Sequence, residues 1–321
     1  MRFLITGITG FAGPHLATRL HADGHDVFGI RRGRRDANAD LHLTVRAVPA
    51  EHLIACDLTD PVALTALLRR LRPDGVFHLA ALTSVPQSFA APEETYRTNL
   101  LGTLHLFAAA RAAVPACRIV WIGSSEAYGQ VAPDELPIDE QQPFRPLSPY
   151  AVSKAAADLA AYQWAQTEQL DLVRVRPFNH TGPGQAPHFI CADFARQVVA
   201  VERGLQPSIE VGNLDTVRDF SDVRDVVRAY VLAWERGKIG EAYNVSSGIG
   251  RTPRQILDDL MRLAAVRAVV GTRPERQRPI DVPAVVGNAE KLRQLTGWSP
   301  TIAWEQTLAD LLDDWRQRLA R

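Results

Sequence analysis

The first 13 residues contain the pattern that most restricts how this chain can fold. A short apolar run at residues 3–6 leads into the turn Gly7-Ile8-Thr9-Gly10-Phe11-Ala12-Gly13, after which a helical pattern begins. Glycines at these spacings permit a tight strand-to-helix turn, a close approach of the backbone to a ligand, and close packing of helix on strand. The amides at the start of the helix favour an anion such as a pyrophosphate. The pattern therefore predicts an α/β chain with a dinucleotide site at its first turn.

Strand-like and helix-like segments alternate after this turn, which is typical of a parallel sheet covered by helices on both faces. The spacing predicts strands at 3–6, 26–30, 52–56, 76–79, 119–122 and 172–175, and helices at 61–71, 94–113 and 149–168. Beyond Pro177, shorter elements follow, with helices expected near 191–204, 223–236, 253–263 and 304–319. Residues 34–49 have no clean period and are interpreted as a loop.

We therefore expect an α/β fold: a Rossmann-type doubly wound parallel sheet with a smaller α/β substrate-binding part. Residues 1–176 are assigned to the dinucleotide-binding domain, and residues 177–321 mainly to the substrate part, interwoven with the first domain. The length of 321 residues and the 46% hydrophobic content allow a large core.

Composition argues against several classes of function. The chain balances 36 basic against 36 acidic residues, so a nucleic-acid partner is not expected. No apolar run approaches the roughly 18 residues of a spanning helix, so a membrane partner is not expected either. A strand begins at once, which leaves no room for a leader, and Cys56, Cys117 and Cys191 lack metal or redox spacing. We expect a reduced cytoplasmic protein without a bound metal.

Three residues form a candidate catalytic set. Tyr150 and Lys154 are four apart in a helical pattern, so the phenol and the ammonium lie on one face. The positive charge is expected to lower the pKa of the phenol toward working pH, as suits a group that gives and regains a proton. The Ser124 hydroxyl would orient a carbonyl or alcohol beside it.

The end of the second strand indicates the choice of cofactor. An acidic residue about 20 residues past the glycines is usual where NAD is bound, because it accepts from the ribose hydroxyl. This chain has Arg31 and Arg32, whose guanidiniums would attract a 2′-phosphate. NADP is therefore predicted, with NAD as the alternative. Asp57 and Leu58, just after the third strand, are placed beside the adenine.

These motifs resemble the extended short-chain dehydrogenase/reductase family over essentially the whole chain. The resemblance implies that Tyr150 is the acid and base, that Lys154 also holds the nicotinamide ribose, and that Ser124 polarises the reacting oxygen. The motifs here are residues 6–13, His78-Leu79-Ala80-Ala81, Asn99-Leu100-Leu101-Gly102-Thr103, Ser124-Ser125-Glu126-Ala127-Tyr128-Gly129 and Ser148-Pro149-Tyr150-Ala151-Val152-Ser153-Lys154.

Later segments are similar to a group in this family that reduces the C4 ketone of GDP-4-keto-6-deoxy-D-mannose to GDP-D-rhamnose. They are residues 176–185, 211–220 and 278–283. By resemblance, Asn179 contacts the sugar diphosphate, Arg218 and Arg278 the phosphates, and Asp281 the nucleotide ribose. A surface ion pair is the alternative for Arg218, because Asp219 and Asp222 are near in sequence.

The resemblance also implies the residues of the two ligand sites. For the cofactor these are Gly7, Thr9, Gly10, Phe11, Ala12, Gly13, Arg31, Arg32, Asp57, Leu58, Leu79, Ala80, Ala81, Asn99, Tyr150, Lys154 and Pro177. For the substrate they are Ser84, Ser124, Ser125, Asn179, Val211, Asn213, Arg218, Arg278 and Asp281.

The expected reaction is therefore NADPH-dependent reduction of a GDP-linked 6-deoxy-4-keto hexose, with Tyr150 as the proton donor. Glu126 keeps a second reaction open, since GDP-mannose 4,6-dehydratases also carry a glutamate there, which removes the C5 proton. A nucleotide-sugar C4 epimerase and an NADP-sensing protein without catalysis are further alternatives. In this family the helices at 94–113 and 149–168 pair across a two-fold axis, so a homodimer is expected.

Overall fold

The computed structural model describes residues 1–31, 48–273 and 282–320. Its main sheet has seven parallel strands, which lie in the order β10-β6-β5-β4-β1-β2-β3 across the sheet. These strands are β1 (Arg2–Thr6), β2 (Asp26–Arg31), β3 (Leu53–Ala55), β4 (Gly75–His78), β5 (Arg118–Ile122), β6 (Leu172–Pro177) and β10 (Ala242–Val245).

Helices cover both faces of this sheet. The helices in the described part of the chain are α1 (Ala12–Ala22), α2 (Pro61–Leu71), α3 (Val85–Ala90), α4 (Pro92–Tyr96), α5 (Gly102–Ala113), α6 (Pro149–Thr167), α7 (Ile190–Glu202), α8 (Val223–Arg236), α9 (Pro253–Leu263), α10 (Glu290–Thr296) and α11 (Trp304–Arg318). One core packs α1, α8 and α10 on the first face, and the other packs α2, α5 and α6 on the second. The predicted doubly wound Rossmann-type sheet is confirmed.

Local signals set many of the helix ends. The Asp60 carboxylate accepts hydrogen bonds from the amides of Val62 and Ala63, and Pro61 occupies the first position of α2. The Ser148 hydroxyl caps α6 in the same way, with Pro149 at its first position. Side-chain oxygens at this position satisfy amides that have no partner within the helix, and proline tolerates the position because its missing N–H is not needed. The predicted starts of both helices are confirmed.

The single helix predicted at 94–113 is wrong in one respect. A π-helical turn at Arg97–Leu101 separates α4 from α5. Such a turn inserts one extra residue and shifts which side chains face inward. Here it places Asn99, a buried side chain, toward α6.

The second half of the chain contributes to both parts of the molecule. Strand β10 joins the edge of the main sheet beside β6 and therefore belongs to the sheet of the first domain. The sequence periodicity did not predict this strand. The smaller part contains β7 (Asn179–Thr181), β8 (Ser208–Val211), β9 (Val217–Asp222), β11 (Gly250–Arg251), β12 (Val269–Thr272) and β13 (Ala284–Val285). Strands β7, β11 and β13 pair with β9, and β12 pairs with β8. Helices α7, α9 and α11 enclose a separate core around them.

Candidate active site

The glycine-rich turn has the geometry that a dinucleotide requires. Gly7 has a φ of +72°, and a Cβ there would lie 2.8 Å from the Cα of Ala80. A Cβ on Gly13 would lie 2.4 Å from the carbonyl oxygen of Ile8. No acidic residue occupies the first turn of α1, and no side chain caps its amides. The turn therefore fits a pyrophosphate against free backbone amides.

The far end of β2 carries the residues predicted to choose the cofactor. Arg31 is the last residue of β2, and its carbonyl accepts from the amide of Cys56. The Asp57 carboxylate accepts from the amide and hydroxyl of Thr59, whereas the Leu58 side chain is buried in the core under α2. Arg32 lies outside the described residues.

A buried chain of hydroxyl and imidazole groups supports the end of β4. The His78 ring bonds through Nδ1 to the Thr6 hydroxyl at 2.6 Å, and through Nε2 to the Thr103 hydroxyl at 2.9 Å. The Thr6 hydroxyl in turn accepts from the amide of Ala80 at 3.2 Å. Burial lowers the pKa of His78 to about 3, so the ring is neutral. This network, which sequence reasoning did not find, positions Leu79, Ala80 and Ala81 beside the glycine turn.

Asn99 connects the segment after β4 to the catalytic helix. Its amide nitrogen donates to the Ser153 hydroxyl and to the Leu82 carbonyl, each at 3.0 Å, and its oxygen accepts from the Leu82 amide at 2.8 Å. The Ser153 hydroxyl then donates to the carbonyl of Tyr150 at 2.7 Å. All polar groups of the Asn99 side chain are therefore engaged within the protein, which makes it a positioning residue for α6.

Ser124 follows the end of β5, and Tyr150 lies at the start of α6. Ser124 precedes a short 3₁₀ turn at Ser125–Ala127, and its hydroxyl accepts from the Glu126 amide at 3.2 Å. The Tyr150 phenol is only 6% exposed and lies near enough to Ser124 for that side chain to affect its pKa. The two hydroxyl groups thus form a pair that can contact one substrate oxygen.

The expected effect of Lys154 on Tyr150 is wrong for this structure. The pKa of Tyr150 is raised to about 12, because burial disfavours the phenolate and the Glu126 carboxylate adds to the effect, while the nearby Ser124 hydroxyl opposes it. The Lys154 ammonium instead donates to the Ile122 carbonyl at 2.7 Å and lies 5.3 Å from the Trp121 ring centroid. Burial lowers the pKa of Lys154 to about 8, against the opposing charge of Asp158.

A buried ionic network lies behind these residues and was not foreseen. Asp158 follows Lys154 by one turn of α6, and its carboxylate accepts from both Arg174 and Arg176 on β6. Arg176 also donates to the Tyr128 hydroxyl at 2.9 Å, and that hydroxyl donates to Asn244 at 2.7 Å. The signal available in the sequence was the acid four residues after Lys154, which continues the catalytic face of α6.

The smaller part places several predicted substrate residues around β9. Asn179 on β7 is opposite Phe220 of β9 in the parallel register, and Arg218 lies two residues earlier on β9. Asn213 is exposed and its oxygen accepts from the Asp215 amide, whereas Val211 is buried in the core of this part. Arg278 and Asp281 lie outside the described residues.

Two further predicted residues have structural partners. The Ser84 hydroxyl caps α3 by accepting from the amide of Gln87 at 3.3 Å. Pro177 ends β6, opposite Val245 of β10.

Phe11, in the glycine turn, stacks on His180 of β7 with ring centroids 5.8 Å apart and planes at 10°. That stack joins the cofactor turn to the smaller part.

Comparison with known proteins now identifies the family. The model of a family described as GDP-mannose 4,6 dehydratase matches residues 4–311. The chain belongs to this family. GDP-6-deoxy-D-mannose reductase of Pseudomonas aeruginosa is 38% identical over 319 residues, which are 99% of this chain and 98% of that protein. The resemblance to extended short-chain dehydrogenase/reductases is confirmed.

Solved structures of related enzymes have the same fold as this family member. The structure of RMD from Pseudomonas aeruginosa complexed with NADPH is 37% identical, has a TM-score of 0.86, and covers 99% of each chain. A UDP-glucose 4-epimerase of Thermus thermophilus in complex with NAD is 32% identical, with a TM-score of 0.84, covering 98% of this chain and 99% of that one. Reductases and epimerases of nucleotide sugars thus share this architecture.

The described part of this chain offers neither a metal site nor a membrane-spanning helix. In residues 1–31, 48–273 and 282–320, no group of three or more His, Cys, Asp or Glu side chains could hold a metal ion. Within the same ranges, no helix combines the length and the apolar character needed to cross a bilayer.

Proposed function

We propose that this protein reduces the C4 ketone of GDP-4-keto-6-deoxy-D-mannose to GDP-D-rhamnose with NADPH. The observation that carries the proposal is the buried Ser124 and Tyr150 pair, at the same carboxyl edge of the parallel sheet as a turn that fits a dinucleotide pyrophosphate. The 38% identity to a GDP-6-deoxy-D-mannose reductase supports the substrate, and the NADPH complex of the similar RMD structure supports the cofactor. NAD remains the alternative cofactor.

The raised pKa of Tyr150 is suited to reduction. NADPH, when bound, supplies the hydride that C4 accepts. The ketone oxygen must then receive a proton, and a phenol with a pKa of about 12 is fully protonated at working pH. Tyr150 donates that proton while the Ser124 hydroxyl hydrogen-bonds the same oxygen. The Lys154 ammonium, one turn further along α6, would hold the nicotinamide ribose, and solvent restores the proton to the phenolate.

Glu126 supports a second candidate, the 4,6-dehydratase reaction. It lies in the turn directly after Ser124, near enough for its charge to raise the pKa of Tyr150. Bound NADP⁺ would supply the oxidation at C4 and return the hydride to C6, and a carboxylate there is placed to remove the C5 proton that the C4 ketone acidifies while water leaves from C6. The dehydratase family model that matches the chain is consistent with this alternative.

One experiment separates the two reactions. Purified protein is mixed with NADPH and GDP-4-keto-6-deoxymannose, and NADPH absorbance is followed beside an incubation of GDP-mannose without reductant. Loss of NADPH only in the first mixture, with GDP-D-rhamnose identified by NMR, supports the reductase. A 4-keto product from GDP-mannose, lost in Glu126→Gln, would replace the proposal with the dehydratase.

We infer that two chains associate through α5 and α6. Large apolar side chains are exposed along this side of the protein: Leu101 is 45% exposed, Val152 39%, Leu159 61% and Tyr162 49%. Val152, Leu159 and Tyr162 share one face of α6 by their spacing, and an exposed apolar face of this kind is typical of an interface. Light scattering should give the mass of a dimer, and Leu159→Glu should give a monomer. A monomeric wild-type protein would contradict this inference.

We also propose that the substrate part is formed mainly by residues 177–321 and that the protein acts in the cytoplasm. Helices α7, α9 and α11 enclose their own core, which supports the first statement. All three cysteines are free, as is usual in a reducing compartment. Cell fractionation with an antibody to the chain tests the second statement, and recovery outside the cytoplasmic fraction would refute it.

A further inference from the structure

Arg251 faces Arg218 across an antiparallel strand pair. Strand β11 pairs with β9 so that Arg251 is directly opposite Arg218, and Gly250 is opposite Asp219. Residues directly opposite in such a pair project to the same face, with Cα atoms roughly 4.5–5.5 Å apart. The two arginines therefore lie on one face of the strand pair, which also carries the buried Phe220, the neighbour of Asn179 in the register with β7.

The Arg251 guanidinium is half-buried and weakly partnered. Within the described ranges its one hydrogen bond is a long contact of 3.5 Å from Nη1 to the Ile249 carbonyl, and it enters no ion pair. Burial lowers the pKa of Arg251, and the charges of Asp219, Glu305 and Asp259 offset this only in part. A cation taken out of water without a close counter-ion is costly. A bound anion would relieve this cost.

An indole ring holds this guanidinium in place. The guanidinium carbon of Arg251 lies 4.5 Å from the centroid of the Trp304 ring, at the start of α11, and that ring packs against Phe220. Stacking restricts the plane of the guanidinium, so less freedom is lost when it binds a ligand. The Trp304 indole N–H is itself buried and has no hydrogen-bond partner within the described residues.

We propose that Arg251 is a binding residue for the diphosphate of the nucleotide-linked sugar, acting together with Arg218. Two guanidiniums one strand apart match two adjacent phosphate groups, each able to take charge-assisted hydrogen bonds. The assignment rests on the proposed function, because that function supplies the diphosphate. It adds a residue from β11, where sequence reasoning placed no ligand contact.

Binding measurements test this directly. GDP, GMP and inorganic pyrophosphate are titrated by calorimetry into the full-length wild-type protein and into Arg251→Gln, Arg251→Lys and Arg254→Gln. Arg254 is the matched control, since it lies three residues away, is exposed and pairs with Asp215. Loss of a charge-assisted contact should weaken GDP binding roughly 10- to 100-fold in Arg251→Gln. GMP binding should fall less, and inorganic pyrophosphate should bind weakly to every variant.

Three further readouts complete the test. In Arg251→Gln, NADPH affinity should stay at the wild-type value, the KM for the sugar nucleotide should rise more than kcat falls, and thermal unfolding should show a folded protein. Arg251→Lys retains the charge but not the planar guanidinium that stacks on Trp304, so its GDP affinity should be intermediate. GDP binding within twofold of wild type in Arg251→Gln would overturn the assignment.

The outcomes distinguish this inference from the proposed function. If wild-type protein binds GDP and Arg251→Gln binds it equally well, the assignment of Arg251 alone is wrong. If wild-type protein prefers another nucleoside diphosphate and Arg251→Gln loses it, the GDP-linked substrate is wrong and Arg251 stands. If no nucleoside diphosphate binds wild-type protein, both are wrong.

Discussion

The Asp158 carboxylate accepts two hydrogen bonds from the Arg176 guanidinium, at 2.8 Å from Nη2 and 2.9 Å from Nε. This pair joins the two segments that carry the candidate catalytic groups. Asp158 belongs to the helix of Tyr150 and Lys154, and Arg176 bonds to Tyr128, four residues after Ser124. The relative position of the phenol and the serine hydroxyl therefore depends on a buried ion pair behind them.

Asp158→Asn should be strongly destabilising. Breaking a buried pair leaves uncompensated charge, here the guanidiniums of Arg174 and Arg176, at a cost of about 3–5 kcal/mol. The matched control is Asp171→Asn, whose partner Arg118 is part-exposed, and which should cost about 1 kcal/mol or less. Urea unfolding measures both. Equal effects in the two variants would show that the buried pair has no special role.

The rate of reduction should fall as the pH rises above about 8. Lys154 has its pKa lowered to about 8, so above that pH its ammonium is lost, whereas Tyr150, with a pKa of about 12, keeps its proton. In a plot of log kcat against pH, the falling limb therefore reports the deprotonation of Lys154. Since the Asp158 charge raises the pKa of Lys154, Asp158→Asn, if it folds, should move that limb to lower pH.

The folded protein should also gain stability between about pH 8 and 10.5 from this lysine. Its folded pKa of about 8 lies below the ordinary value of 10.5, so the unfolded chain binds more protons in that window and stability rises with pH. Lys154→Met should lack this increment in urea titrations.

For the rate of reduction, a profile of kcat against pH that is flat through pH 10 would contradict the role of Lys154.

Tyr150→Phe should abolish turnover while leaving cofactor binding intact. Removing a positioned proton donor lowers rates by roughly 10²- to 10⁴-fold. Tyr162→Phe is the control, because Tyr162 lies on the same helix with 49% of its surface exposed. NADPH oxidation gives the rate, and quenching of tryptophan fluorescence gives the cofactor affinity. Turnover within threefold of wild type would remove Tyr150 from the reaction.

Arg31→Ala should weaken the preference for NADPH over NADH. The side chain stands at the end of β2, where the 2′-phosphate is expected, and losing one charge-assisted contact should raise the KM for NADPH about tenfold. The KM for NADH should change by about twofold or less. Arg19→Ala removes the same charge from α1, where Arg19 pairs with Asp23, and should leave both values unchanged. If the ratio of the KM for NADH to the KM for NADPH is unaltered in Arg31→Ala, that result would argue against a phosphate contact.

Gly13→Ala should destabilise the protein. The added Cβ would lie 2.4 Å from a backbone oxygen of Ile8, and backbone cannot move aside as a flexible side chain can, so a cost of about 3 kcal/mol is expected. Gly271→Ala is the control, since a Cβ there meets nothing within 4 Å, and should change stability by about 0.5 kcal/mol or less. Thermal unfolding compares the two variants, and a stable Gly13→Ala would refute the close approach.

Local patterns in the sequence identified much of the site. The glycine turn, the spacing of Tyr150 and Lys154, and the start of α2 at Pro61 all depend on residues within a few positions of one another. Their sterics and hydrogen bonds act within a single turn, so the pattern alone predicts them. Helix α8, at Val223–Arg236, was predicted with its observed bounds for the same reason.

Tertiary structure decided the rest, because the deciding partners are distant in sequence. Lys154 bonds to Ile122, Asp158 to Arg176, and Arg251 faces Arg218 only because strands and helices from different parts of the chain pack together. The pKa of Tyr150 follows from burial that packing creates, so its direction could not be read from the neighbouring lysine. The sequence by itself determined the fold class and the candidate reactive groups, whereas long-range packing determined their charge states, their supports and the cation opposite Arg218.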